Sequence, residues 1–322
     1  MRKSLVPLLP LLASLAGCSP QIHLDLLGRE TLQEVVLVPG PAREKILVVD
    51  LEGTITESGG QSLFSRQRNP MAEVYARLER AAADPDVKAV ILRLDTPGGE
   101  VTASDVIYHQ ILRFKERTGK PVLGLMMGLA ASGGYYVASA SDFIMAHPTT
   151  LTGSIGVISI FPDIHGLMGK VGVKVTIIKS GENKDAGSPF RDMTEEEERI
   201  FQGIIDEYYE GFLSVVAAGR KDRIPREELR RIADGRVYTA PQALRLGLID
   251  AVGYFDDALA KTLELAGIKA ARVVGYTYYP KTKTNVYAGR LDGATAPDRS
   301  TLEAALERFK TGFYYLWLPE DR

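Results

Sequence analysis

Gly128-Leu129-Ala130-Ala131-Ser132-Gly133-Gly134-Tyr135-Tyr136 is the stretch whose residue types and spacing could do chemistry. It follows an apolar run, Pro121 to Met127, of the kind that forms a buried strand. It precedes Val137-Ala138-Ser139-Ala140, which can continue as a helix. A serine at a strand-to-helix turn sits at the positive end of the helix, where backbone N–H groups lack partners. The glycines after it permit a tight turn and close approach of a ligand to the backbone. A hydroxyl with N–H donors beside it is what a nucleophile needs as an oxyanion develops. The same residues would serve equally as a Gly/Ser packing turn, and taken alone they leave both readings open.

A serine nucleophile needs a base. His23, His109, His147 and His165 stand in no recognisable triad context, although triads are spatial and distance in sequence excludes none. Lysine can serve once neutral. Since lysine ordinarily titrates near about 10.4, such a base must be desolvated. Lys184, among small residues in the loop 180–191, fits in composition, whereas Lys170, Lys174 and Lys179 read as solvated or strand-flanking.

The elements that would position these residues follow a regular pattern. Lys45–Leu51, Lys88–Leu94 and Pro121–Met127 are continuous apolar runs, as expected of strands covered on both faces. Pro70–Ala83 and Ala103–Arg117 show helical spacing between them, with Val106, Ile107, Ile111, Leu112 and Phe114 inward in the second. Asp142–Ala146 reads as a short fourth strand. Strand and helix in alternation argue a mostly parallel sheet with right-handed βαβ crossovers. Gly53–Asn69 and Asp95–Gly99 read as loops, and Lys174–Lys179 as a further strand. Thr194 is a candidate N-cap for a long helix running to about Ala218, with the acids of its first turn suiting the helix dipole. Helices are expected around Arg226–Ala233, Ala240–Leu246 and Asp256–Ala266, and a last strand over Ala271–Tyr279.

Four motifs in order resemble the signal peptide peptidase A family of Ser/Lys proteases. They are Asp95-Thr96-Pro97-Gly98-Gly99, Ala131-Ser132-Gly133-Gly134-Tyr135-Tyr136, Thr152-Gly153-Ser154-Ile155-Gly156-Val157 and Lys184-Asp185-Ala186-Gly187-Ser188-Pro189-Phe190-Arg191. Lys184 lies 52 residues after Ser132, as in the short, single-repeat members. The resemblance spans roughly Lys45 to Ala266. It implies an α/β, Clp protease/crotonase-like fold with a helical C-terminal part. It also implies Ser132 as nucleophile, Lys184 as general base, the Gly99 and Gly133 amides as oxyanion donors, and Ser154 as the residue orienting the lysine amine. No cofactor or metal is expected. The substrates implied are peptides, remnant signal peptides among them. The resemblance further implies a homo-oligomer in which each subunit contributes part of the site. Segments after Gly99 and around Ser154–Val157 could pair with an extended peptide as added strands.

The chain has 322 residues, 45% hydrophobic and 25% charged, with a formal net charge of -2 and no Lys/Arg run, which argues against a nucleic-acid partner. The single cysteine, Cys18, closes Leu15-Ala16-Gly17-Cys18 after a basic start and a short apolar run. That pattern resembles the bacterial lipoprotein processing box, which implies acylation of Cys18 and anchoring outside the cytoplasmic membrane. The expected organisation is a signal peptide (1–17), a tether (18–44), a peptidase domain (45–280), and a linker with an aromatic-rich helical tail (281–322). In the tail, Leu302, Ala305, Leu306 and Phe309 make a helical stripe and Phe313–Leu318 an aromatic patch whose partner is open. A crotonase-type acyl-CoA enzyme and a non-catalytic lipoprotein scaffold are the competing readings. Export to a compartment without coenzyme A counts against the first, and the presence of both Ser132 and Lys184 against both.

Overall fold

The computed structural model describes residues 31–57, 61–62, 65–66, 69–278, 285–287 and 312–317. Cys18 and the stripe from Leu302 to Phe309 lie outside the described residues.

Strand β1 (Gln33–Val38) precedes β2 (Lys45–Glu52), and a small hairpin of β3 (Gln61–Ser62) and β4 (Ser65–Arg66) leads to helix α1 (Pro70–Ala83). The Asn69 side chain caps α1 by accepting from Met71 N at 2.8 Å, and Pro70 occupies the first turn, where no N–H is missed. Then β5 (Val87–Thr96), β6 (Gly98–Glu100), α2 (Val101–Thr118), β7 (Val122–Ala131), α3 (Gly133–Ala138) and β8 (Phe143–Ala146) follow in turn. After them come β9 (Leu151–Gly153), β10 (Ile158–Ser159), α4 (His165–Lys170), α5 (Glu195–Gly219), α6 (Arg226–Ile232), β11 (Val237–Thr239) and α7 (Ala240–Arg245). The described chain closes with β12 (Ala251–Val252), α8 (Phe255–Leu265), β13 (Arg272–Thr277) and β14 (Phe313–Leu316).

The central sheet has nine strands, with the path β1-β13-β2-β5-β7-β8-β12 and with β9 joining β7 and β11 joining β9. From β13 to β12 every pair on this path is parallel, and β1 is antiparallel to β13. This is the mostly parallel α/β sheet with βαβ crossovers that the apolar runs predict. Successive residues of β2, β5 and β7 feed opposite faces. Leu47, Val49, Leu51, Leu92 and Leu94 pack with helices α1, α2 and α3, while Ile46, Val48, Ile91, Leu123 and Leu125 pack with Phe255 and Ala258 of α8. Continuous apolar strands are the consequence of a sheet covered twice.

Four segments depart from the expected reading. β7 runs on to Ala131, so Gly128–Ala131 belongs to the strand and Ser132 follows its last residue. Gly98-Gly99 opens a short strand rather than closing a tight loop. The aromatic patch forms strand β14, which lies in a second, antiparallel sheet in the order β10-β14-β6. The expected strand over Lys174–Lys179 is absent: these residues are exposed and irregular, and Ile178 is 96% exposed. Their alternating β-branched residues have strand propensity but gain no ladder partner within the described chain, and without pairing a strand does not form.

Candidate active site

The parallel registers bring three strand ends together. Thr96 of β5 pairs with Ala130 of β7, and Ala130 and Ala131 pair with Thr152 and Gly153 of β9. The next residues, Ser132 and Ser154, therefore leave adjacent strands side by side at the C-terminal edge of the sheet. That edge is where open α/β sheets collect their ligands. Ser132 N donates to Gly153 O at 2.7 Å, and Ser132 O accepts from Tyr136 N at 2.9 Å, which starts α3. The result is a sharp reversal with φ 53° and ψ -116° at a residue only 1% exposed. Among the described residues Ser132 and Ser154 (φ 50°) are the only non-glycine positions with positive φ. Such conformations cost on the order of 1–3 kcal/mol each and persist only where the surroundings impose them.

Two amides face one point beside this turn. Ile55 occupies one edge of β6: its N–H donates to Gly98 O at 2.9 Å, and its carbonyl accepts from Glu100 N at 2.8 Å. Gly99 thus turns its own amide to the opposite edge, where Tyr315 of β14 pairs with it. Gly133 opens α3, so its N–H has no partner within the helix. A Cβ on Gly98 would fall 2.6 Å from Gly133 N and 2.1 Å from Tyr315 O. A Cβ on Gly133 would fall 3.2 Å from Gly99 N and 3.1 Å from the same Tyr315 oxygen. The Gly99 and Gly133 amides thus crowd around one carbonyl oxygen, in a space only glycine leaves open.

Ser154 lines a cavity of about 360 Å³ together with Ile155, Tyr209, Asp234 and Leu316. Lys184 is not among the residues that line it. It lies in a single 3-10 turn, Glu182–Asp185, with an exposed side chain, and no hydrogen bond joins it to Ser132 or Ser154 among the described residues. Its loop is held by charge. Arg191 donates to Asp185 at 2.8 Å and to Glu197 at 2.9 Å, and Lys179 reaches Asp185 at 2.7 Å. The Arg191 hydrogen bond holds Asp185 well below the usual carboxylate range. With the Thr194 amide, Arg191 also holds Glu197 down at about 2. Glu197 closes a capping box with Thr194, the N-cap expected from sequence, so the loop is tied to the start of α5. Among the described residues no group of three His, Cys, Asp or Glu side chains is placed to hold a metal ion.

An aromatic wall beside the turn was not read from sequence. Tyr136 of α3 and Phe212 of α5 pack on Tyr315 with ring centroids 5.1 and 4.6 Å away. Tyr136 donates to Asp105 Oδ1 at 2.7 Å; burial, then that hydrogen bond, push its hydroxyl well above the phenol range. The neighbouring Tyr135 is structural: it is fully buried and donates to Leu248 O at 2.7 Å. Two consecutive tyrosines after a Gly-Gly turn were the available signal, since on a helix they must point to different sides.

Comparison with known proteins bears on this geometry. The sequence profile of peptidase family S49 matches residues 114–269. A Methanocaldococcus jannaschii protein named "Putative protease MJ0651" is 36% identical over 84% of this chain and 85% of its own length. The "Putative signal peptide peptidase SppA" of Enterococcus faecium is 34% identical over 77% of this chain and 72% of its own. "Protease 4" of Salmonella typhi is 35% identical over 81% of this chain, which matches 39% of that longer protein. The mostly parallel sheet is the Clp protease/crotonase-like fold, and the chain is a serine peptidase. It belongs to peptidase family S49, the signal peptide peptidase A family.

Proposed function

We propose that the chain is a Ser/Lys endopeptidase of the bacterial cell envelope that cuts extended apolar peptides, remnant signal peptides among them. The observation that carries this reading is the strained Ser132 turn, with the Gly99 and Gly133 amides crowding around a single carbonyl oxygen. In the proposed reaction neutral Lys184 Nζ takes the Ser132 proton as Oγ bonds to the peptide carbonyl carbon. The oxyanion is held by the Gly99 and Gly133 N–H groups, each worth about 10²–10³ in rate. Collapse breaks the C–N bond, Lys184 returns the proton to the leaving amine, and water hydrolyses the ester with Lys184 again as base. Ser154 orients the lysine amine.

Lys184 is exposed within one chain, so the dyad is completed by the loop of a second copy in a homo-oligomer. The uncovered apolar residues just before the loop, Val171, Val173, Val175, Ile177 and Ile178, supply a surface for that assembly. A lipid on Cys18 would hold the domain outside the cytoplasmic membrane, close to membrane-associated peptides.

The test is peptide turnover by wild type, Ser132→Ala, Lys184→Ala and a mixture of the two variants refolded together. Each variant alone is expected to be inactive. Random mixing should restore about a quarter of the activity, the share of sites that pair an intact serine with an intact neighbouring lysine. Activity in Lys184→Ala alone would remove the lysine from the mechanism, and a mixture that stays inactive would remove the shared site.

A further inference from the structure

Gly98 has to be glycine, and glycine is a poor keeper of direction. A Cβ there would fall 2.6 Å from Gly133 N and closer still to the carbonyl oxygen beside it, so no side chain fits. Glycine has no intrinsic preference that would hold φ at 98°. Yet the Gly98 backbone aims the Gly99 amide, because the Gly98 carbonyl and the Gly99 N–H share one peptide plane. A donor free to swing is a weak partner for a developing oxyanion. The hold on Gly98 must come from its neighbours.

Two neighbours supply it. After the Gly98 Cα, Ile55 N donates to Gly98 O at 2.9 Å and fixes the plane that carries the Gly99 amide. Before it, Gly98 N donates to Thr96 Oγ1 at 3.0 Å and fixes the preceding plane. Pro97, between Thr96 and Gly98, has its φ locked by the ring, so this link is short and stiff. With both planes held, both backbone angles of Gly98 are set. Thr96 is fully buried, so solvent cannot stand in for its hydroxyl as the acceptor.

Thr96 reaches the nucleophile as well. Its backbone pairs with Ala130, two residues before Ser132. Its methyl lies against Gly134, two residues after Ser132: a Cβ there would fall 2.6 Å from Thr96 Cγ2. One buried side chain therefore touches both halves of the site. The hydroxyl serves the oxyanion strand β6, and the methyl the first turn of α3.

We propose that Thr96 is a positioning residue: its hydroxyl, acting through Gly98, aims the Gly99 N–H at the point where the oxyanion forms beside Ser132. The proposal rests on the reading of Ser132 as nucleophile and of the Gly99 amide as oxyanion donor. Since the oxyanion exists only beyond the ground state, loss of the hydroxyl should lower kcat and kcat/KM together and leave KM nearly unchanged. Removing a whole donor costs about 10²–10³ in rate, and misplacing a group by about 1 Å costs about 100-fold. A donor that is tilted rather than removed should therefore cost about 10- to 100-fold.

The test is peptide turnover by the full chain, as kcat and KM, for wild type, Thr96→Val, Thr96→Ser and Thr96→Ala. Beside it runs the rate of Ser132 labelling by a simple fluorophosphonate, followed by intact mass. Valine keeps the bulk and lacks the acceptor; serine keeps the acceptor and lacks the methyl. Thr96→Ser should retain most of kcat, whereas Thr96→Val should lose about 10- to 100-fold. Labelling should slow in step with kcat, because the phosphonyl oxygen enters the same hole. If Thr96→Val fails to fold, Thr96→Ala against Thr96→Ser removes the same hydroxyl and should show the same loss. A valine variant with wild-type kcat overturns the proposal, as does an equal loss in serine and valine, which would place the effect in packing alone. A fall in kcat/KM carried by KM also overturns it, and would place Thr96 in peptide binding. In each of these cases labelling of wild type leaves Ser132 standing as nucleophile. Absence of labelling at Ser132 in wild type overturns the nucleophile reading and the proposal with it.

Discussion

Replacing Ser132 by glycine should abolish activity and make the protein more stable. The Ser132 backbone, at φ 53° and ψ -116°, lies where a Cβ is disfavoured and glycine is not. Relief of that strain is worth on the order of 1–3 kcal/mol. Glycine returns about 0.5–1 kcal/mol of this through the greater freedom of its unfolded chain. The net gain is about 1 kcal/mol, reaching about 2 at the upper end. Ser132→Ala is the control: it removes the same hydroxyl but keeps the Cβ, and so keeps the strain. The quantity to measure is therefore the difference between the two variants in denaturant unfolding at equal slope, which isolates stability from changes in exposed surface. Glycine should exceed alanine by the net gain above. Ser154→Gly, at φ 50°, should repeat the pattern against Ser154→Ala. An alanine variant as stable as glycine at position 132 would refute the reasoning, because the turn would then store no strain to aim the hydroxyl.

Gly133→Ala should lower kcat by about 10²–10³, since the new methyl would stand 3.1 Å from the carbonyl oxygen site. Its other close contact is with Ser104 Oγ at 2.5 Å, so adding Ser104→Ala should recover stability without recovering kcat; recovery of both would place the effect in packing. Arg220→Met should destabilise by about 3–5 kcal/mol, read from unfolding curves. Arg220 forms a bidentate pair with Asp250 at 2.8 and 2.9 Å, and both side chains are 4% exposed. Burial opposes the Asp250 charge, but Arg220 and the Ile144 amide outweigh it and keep the carboxylate low, so removing Arg220 leaves a buried charge with only that amide and the more exposed Arg223, 3.4 Å away. The Glu197 carboxyl is held at about 2 against an ordinary 4.5. Its contribution to stability is therefore complete above pH 4.5 and lost as pH falls from there towards 2. Arg191→Gln should flatten that part of the stability–pH curve, and an unchanged slope would show that the ion cluster does not hold the loop.

Much of this fold is legible because buried parallel strands leave an unambiguous mark. Val48, Ile91 and Leu123 sit under α8 while Val49, Leu92 and Met126 sit under the other helices, so a run without polar interruption implies both layers at once. The Ser132 turn is legible for a related reason: glycine appears where the backbones of β6 and α3 come within a methyl group of each other. The aromatic wall was harder. Tyr136, Phe212 and Tyr315 come from three elements whose contact depends on the folded register, and no local spacing links them. β14 was hidden for a further reason. Four aromatic and apolar residues are short for a strand, and the ladder partners, Gly98–Glu100, lie more than 200 residues earlier. Glycine also carries little strand signal, so neither partner announced the other.

The absent strand at Lys174–Lys179 is explained by comparison with β14. Both segments have strand chemistry, and what separates them is whether an open edge lies within reach. β14 finds two, on β6 and β10, and its tyrosine is buried. Lys174–Lys179 finds none among the described residues, and leaves Val175, Ile177 and Ile178 in solvent a few residues before Lys184. The first half of α5 behaves likewise: Ile200 and Tyr208 are 40% and 37% exposed, and the helix buries no apolar side chain fully before Phe212. An uncovered apolar arm just before the proposed base, Lys184, is hard to account for as the surface of an isolated subunit. It is accounted for if covering the arm and delivering the base are the same event. Catalysis would then be confined to the assembled state, and a single chain in the wrong place would carry a nucleophile with no base to ionise it.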